Sequence, residues 1–194
     1  MHSTLRLGLS LALLLASVLT GCRGPIDSAA QARLEQGFGT ETVTVFPAHV
    51  NRAGFEAWDA RAAERLAELC NAEHWFAARV SAVEVPLPVE WSWNQAAMLE
   101  DGAEAFAAWV REHPLETRYA LIADYLLGPK EAGGVHVIVV DAEGRVADVS
   151  LWNSHWDTFE ELAPKSVDDC TEIAVRGLRE NWAELRARAQ AARE

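Results

Sequence analysis

The stretch Tyr119-Ala120-Leu121-Ile122-Ala123-Asp124-Tyr125-Leu126-Leu127, followed by Val135-His136-Val137-Ile138-Val139-Val140 and then Val146-Ala147-Asp148-Val149-Ser150-Leu151-Trp152, sets the architecture. The first segment is apolar at nearly every position, as a strand covered on both faces must be. The second is the strongest strand signal in the chain, and Asp141-Ala142-Glu143-Gly144 turns it back into the third. Gly128-Pro129 and Gly133-Gly134 read as the turns before it. Three consecutive strands joined by short turns make an antiparallel meander.

Upstream of the meander, Glu41 to Pro47 alternates, with Val43 and Val45 on one side and Thr42, Thr44 and Phe46 on the other; this predicts a strand ended by Pro47. From Phe55 to Cys70 the residues Phe55, Trp58, Ala62, Leu66 and Leu69 recur at spacings of three and four, which predicts an amphipathic helix. Ala78 to Val85 reads as a second strand closed by Pro86 and Pro88. Asn94 is placed to cap a helix whose stripe is Met98, Ala105, Phe106, Trp109 and Val110, ending before Pro114. Downstream, Ser166 with Asp169 three residues on marks a helix start, and Ile173, Ala174, Leu178, Trp182 and Leu185 give its buried stripe. The order β-α-β-α-β-β-β-α predicts a single layered α/β domain over residues 41–194, with a mixed sheet of about five strands and a long C-terminal helix.

The amino terminus is of another kind. Met1 to Arg6 carries one positive charge and no acid, and Leu7 to Leu19 is an uncharged run too short to span a bilayer core, which takes about 20 apolar residues. The run ends Leu19-Thr20-Gly21-Cys22, which resembles the bacterial lipobox, Leu-(Ser/Ala/Thr)-(Gly/Ala)-Cys. That resemblance implies a signal peptide over residues 1–21, removed before Cys22, with diacylglycerol on the Cys22 sulfur and a fatty acyl chain such as palmitate on the new amino group. Two or three chains at about 0.8 kcal/mol per buried methylene anchor stably where one does not. Arg23 is not the Asp that retains many such lipoproteins in the inner membrane, so the resemblance implies the outer membrane, facing the periplasm. Residues 22–40, mixing Gly, Pro, Asp, Ser and Gln, read as a lipidated tether.

Without its signal the chain keeps 16 basic against 29 acidic residues. Nucleic acid is therefore not an expected partner, because phosphate binding needs clustered Lys and Arg. Cys70 and Cys170 remain as an even pair in an oxidising space, either a disulfide or two small buried hydrophobes.

Three segments carry a second resemblance. They are Thr42-Val43-Thr44-Val45-Phe46-Pro47 before a helix, the strand Tyr119 to Gly128, and Val137-Ile138-Val139-Val140-Asp141-Ala142-Glu143-Gly144-Arg145-Val146. Over residues 41–150 this looks like the periplasmic α/β domain shared by the curli-secretion lipoproteins and the TolB amino-terminal domain. The likeness implies an envelope assembly or accessory part that binds a protein partner, not an enzyme.

Motifs for chemistry are sparse. His49, His74, His113 and His155 have no neighbours at zinc-ligand spacing, and there is neither Cys-x-x-Cys nor Gly-x-Ser-x-Gly, so no metal and no cofactor is expected. Gly133-Gly134 lacks the Lys-Ser/Thr of a phosphate cradle. In simple register, Asp124, His136, Asp148 and Ser150 share one face of the meander, where a carboxylate beside an imidazole offers a general base, or else a solvated sheet face. Trp152, His155 and Trp156, following the last strand, offer a binding loop, with core tryptophans as the other reading. Trp91 and Trp93 carry the same ambiguity. An envelope accessory protein and a periplasmic enzyme or small-ligand binder are thus the two functional expectations.

Overall fold

The computed structural model describes residues 25–52, 55–88, 92 and 94–191. Strand β5 (Tyr119–Leu127) runs through its middle, buried at every position. On one side β6 (Ala132–Asp141) pairs with it antiparallel, and β7 (Val146–Trp152) pairs antiparallel with β6, so the expected meander is present. On the other side β5 is bordered in parallel by β1 (Thr42–Val45), with Val43 opposite Tyr119, and then by β2 (Ala48–Arg52), with His49 opposite Asp124. The two registers differ by one residue, so β1 and β2 are successive lengths of one row, interrupted at Phe46-Pro47 where proline has no N–H for the ladder. The outer row is built the same way, from β4 (Ala77–Val80) parallel to β1 and β3 (Phe55–Asp59) antiparallel to β2. Seven strands thus lie in five rows, and the α/β layered class is the one expected.

Helices cover both faces. Helix α1 is Ser28–Gly37, α2 Ala60–Ala72, α3 Gln95–Glu112, α4 Asp157–Leu162 and α5 Val167–Ala191. Phe106 and Val110 of α3 pack with Ile122, Leu126 and Ile138 on one face. Leu66 of α2, Leu34 of α1 and Ile173 and Trp182 of α5 pack with Leu121, Tyr125 and Val137 on the other. The expected caps are in place: Asn94 accepts from Ala97 N, while Ser166 Oγ accepts from Asp169 N and Asp169 Oδ2 from Ser166 N.

Four expectations need correction. Residues 28–37 are not tether but α1, capped by Asp27 and burying Ala30 and Leu34; one leucine in ten residues leaves no stripe to read. The helix expected from Phe55 begins at Ala60, where the Asp59 carboxylate accepts from Ala62 N, and Phe55 and Trp58 belong to β3. Gly133 and Gly134 lie within β6; the turn is Gly128 to Glu131, closed by Gly128 N donating to Glu131 O. Cys70 and Cys170 are free, buried thiols, not a disulfide. Arg65 contacts Glu172 and Arg179 contacts Glu73, so α2 and α5 run side by side and parallel, bringing Cys70 level with residue 176 or 177. Cys170 is some seven residues away from that level, roughly 10 Å along the axes at about 1.5 Å per residue. A disulfide needs Cα atoms within about 7 Å.

Trp152 is 3% exposed, and its indole lies against Gly177 of α5 so closely that a Cβ there would come within 2.1 Å of the ring. In an ordinary helix interior Gly→Ala gains up to about 1 kcal/mol. Here Gly177→Ala is expected to lower the melting midpoint, with the loss disappearing in a Trp152→Ala background. A gain in the wild-type background would contradict this packing.

Candidate functional site

Sheet rows place side chains of paired residues on one face. His49 of β2, Asp124 of β5 and His136 of β6 are such a row, on the face covered by α3, and all three are buried to 2% exposure or less. His49 Nδ1 lies 2.8 Å from Asp124 Oδ1, and His136 Nδ1 lies 3.1 Å from Asp124 Oδ2. Burial alone would raise the Asp124 carboxyl, but the hydrogen bonds from His136 and His49 outweigh it and hold it below the ordinary carboxylate range. An ionised carboxylate only accepts, so both Nδ1 atoms donate to it. Neither Nε2 has a hydrogen-bond partner. The nearest acid to His49 Nε2 is Glu56 Oε1 at 3.9 Å, beyond hydrogen-bond length, on a side chain 46% exposed.

The roof over the β3 end of this row is also built. Trp58, opposite His49 in the register, sets its ring 5.9 Å from the imidazole and donates Nε1 to Val85 O at 2.9 Å. Val85 and Leu87 are fully buried there. Chemically, an imidazole oriented through Nδ1 by a carboxylate is a general-base or metal-ligand geometry. Among the described residues no group of three or more His, Cys, Asp or Glu is arranged to hold a metal ion.

Asp124 and His136 therefore come together, whereas Asp148 and Ser150 do not join them. Val140 pairs with Val146, and simple pairing from there would set Ser150 opposite His136. A bulge between Val139 and Val140 shifts the register by one, so Leu151 lies opposite His136. Asp148 and Ser150 fall on the α5 face, where Asp148 Oδ2 accepts from Trp182 Nε1 at 2.9 Å and Ser150 Oγ from Asn181 Nδ2 at 3.2 Å. Burial raises the Asp148 carboxyl, more than the Trp182 hydrogen bond lowers it. Sequence reasoning passes over His49, although Ala48 and Val50 alternate with His49 and Asn51 directly after Pro47.

The loop residues are divided as well. Trp152 is a core residue, so the binding-loop expectation fails for it. Trp156 is half-buried, its ring 6.1 Å from that of Trp152, and only His155 is exposed. Cys22, Trp91 and Trp93 lie outside the described residues. No described helix is long and apolar enough to cross a membrane.

No protein-family model matches this chain, and no curated protein matches it in sequence. Among solved structures it is similar to the dodecamer of a PelC point variant from Paraburkholderia phytofirmans, at TM-score 0.39 and 14% identity, over 81% of this chain and 92% of that one.

Asp124 and Asp148 titrate with opposite consequences. The depressed Asp124 contributes stability that is present above its unfolded value of about 3.9 and is lost as pH falls through the folded value. The raised Asp148 works the other way, its cost growing as pH rises from the unfolded value through the folded one. Asp124→Asn is expected to lower stability at pH 7 by about 2 kcal/mol, because one amide oxygen cannot accept from both imidazoles and a buried N–H is left unsatisfied. Asp148→Asn keeps an acceptor for Trp182 and is expected to raise stability at pH 7. Denaturant melts of both variants across pH 3 to 8 check the signs, and equal signs would refute the assignment.

Proposed function

We propose that this chain is a lipid-anchored envelope lipoprotein with an accessory, non-enzymatic role, held in the outer membrane by Cys22 and facing the periplasm. Its folded domain takes a protein partner by strand addition at the open β3–β4 row of the sheet. The observation that carries the partner reading is where large apolar side chains stay exposed. Among the described residues they are Phe55 at 78%, Val80 at 42% and Val83 at 51%, on β3, on β4 and in the segment leaving β4. The opposite edge strand, β7, is mostly buried and lies against α1, with Asp27 N donating to Val146 O. On β4 the Asn71 side chain already bonds the outward N–H and carbonyl of Ala78, so the length offered to an added strand is β3 and the β4 end from Val80 onward, where the apolar side chains are exposed.

A catalytic reading would have to work through the His49–Asp124–His136 row, whose Nε2 atoms are sealed from solvent, or through the Trp152 ring, whose face Gly177 occupies. The edge demands neither. The lipid anchor rests on Leu19-Thr20-Gly21-Cys22.

Two experiments test the two halves. Cys22→Ser is expected to keep its signal and to abolish incorporation of labelled fatty acid; continued labelling would end the lipoprotein reading. For the edge, lysines block strand addition, so Val80→Lys with Val83→Lys is expected to eliminate a discrete complex trapped by cross-linking in intact cells while leaving the melting midpoint near that of the wild type. The same complex at the same yield in the variant would end the edge reading.

A further inference from the structure

Only two residues, Arg23 and Gly24, stand between Cys22 and the first described residue, Pro25, which is already part of the fold. Ile26 packs against the α3-side core, Asp27 N donates to Val146 O at 2.9 Å, and α1 follows directly with Ala30 and Leu34 fully buried. Three residues of chain reach at most about 11 Å even when fully extended. Resting on the lipoprotein reading above, we infer that the domain sits directly on the bilayer, with the β6–β7 turn and the C-terminal half of α3 against the phospholipid headgroups.

The charge at this end fits that surface. Pro25 shares a cavity of about 470 Å³ with Glu104, Ala108 and Arg111 of α3 and with Gly144 and Arg145 of the turn. Arg111 donates to the Gly144 carbonyl at 2.7 Å, a neutral acceptor that leaves its charge unpaired there. Arg145 is paired with Asp141 and Glu143, Arg118 with Glu143 and Arg33 with Asp141, and Asp27 and Glu104 line the same cavity, so four arginines balance four carboxylates here in a chain of net charge −12. Elsewhere the acidic surface is repelled by anionic headgroups; here the charge is balanced and the Arg111 guanidinium, with no carboxylate partner, can face phosphate. The opposite end of the sheet is then carried away from the bilayer. β6 alone, ten residues at about 3.3 Å each, lifts the β7 end and its Ser154-His155 loop by roughly 30 Å. The β2–β3 connection beside Phe55 lies at that distal end too, opposite Leu126, the next-to-last residue of β5.

The test uses lipidated full-length protein reconstituted into vesicles of phosphatidylethanolamine and phosphatidylglycerol that contain a headgroup nitroxide lipid. Glu104→Cys and Ser154→Cys, both at exposed positions, each carry a fluorophore. Cys70 and Cys170 do not compete for it, because burial pushes both thiols up to about 12. The Glu104 label is expected to be quenched severalfold more than the Ser154 label, and a long flexible insertion between Gly24 and Pro25 to reduce that difference. Equal quenching at both sites, with fatty acid present on Cys22, would overturn the orientation and leave the lipoprotein reading standing. Absence of fatty acid on Cys22 would overturn both.

Discussion

Burial of β5 on every side is the constraint from which the rest follows. Nine consecutive residues without solvent contact require a neighbour strand on each edge and a helix layer over each face. β6 supplies one edge, and β1 with β2 supplies the other. Side chains then divide by parity: Ala120, Ile122 and Leu126 meet α3, while Tyr119, Leu121, Ala123 and Tyr125 meet the helices of the opposite layer. Where polar groups fall within this strand and its neighbours, they must be satisfied internally, since water does not reach them.

Asp124 is the point at which that demand is strongest. A carboxylate in the middle of a buried strand loses its hydration, and two imidazoles from the flanking strands replace it. The same sheet carries Asp148 on its other face with the Trp182 indole and the Val149 backbone N–H as donors, and there desolvation wins. Two aspartates of similar burial thus end with opposite shifts because one meets two imidazoles and the other an indole and one backbone N–H. The three-residue row thus satisfies a buried carboxylate with hydrogen bonds from within the sheet.

The two ends of the sheet are also unequal. Chain entry at Pro25, the arginines of the β6–β7 turn and the start of β5 are at one end, and the β5–β6 turn with the Ser154-His155 loop is at the other. α1 is not a spacer ahead of the domain; it covers β7 and part of the α5-side core.

Features that depend on near neighbours along the chain were legible in the residue string. The meander, the capping of α3 by Asn94, the Ser166-Asp169 capping box and the buried stripe of α5 are local patterns of period two or period three to four, and each lies where the pattern put it. Phe55 and Trp58 fitted helical spacing by coincidence, since two residues three apart cannot distinguish a helix from a strand beginning. Everything that depended on register waited on the closed sheet. One bulge at Val139 and Val140 carried Asp148 and Ser150 to the far face, and parallel pairing of β2 with β5 brought His49 to an aspartate 75 residues away. The pairing of Cys70 with Cys170 failed for the same kind of reason, an offset between two helices set by long-range packing. Local spacing encodes which face a residue can take, but only contacts closed across the whole sheet fix which neighbour it meets there.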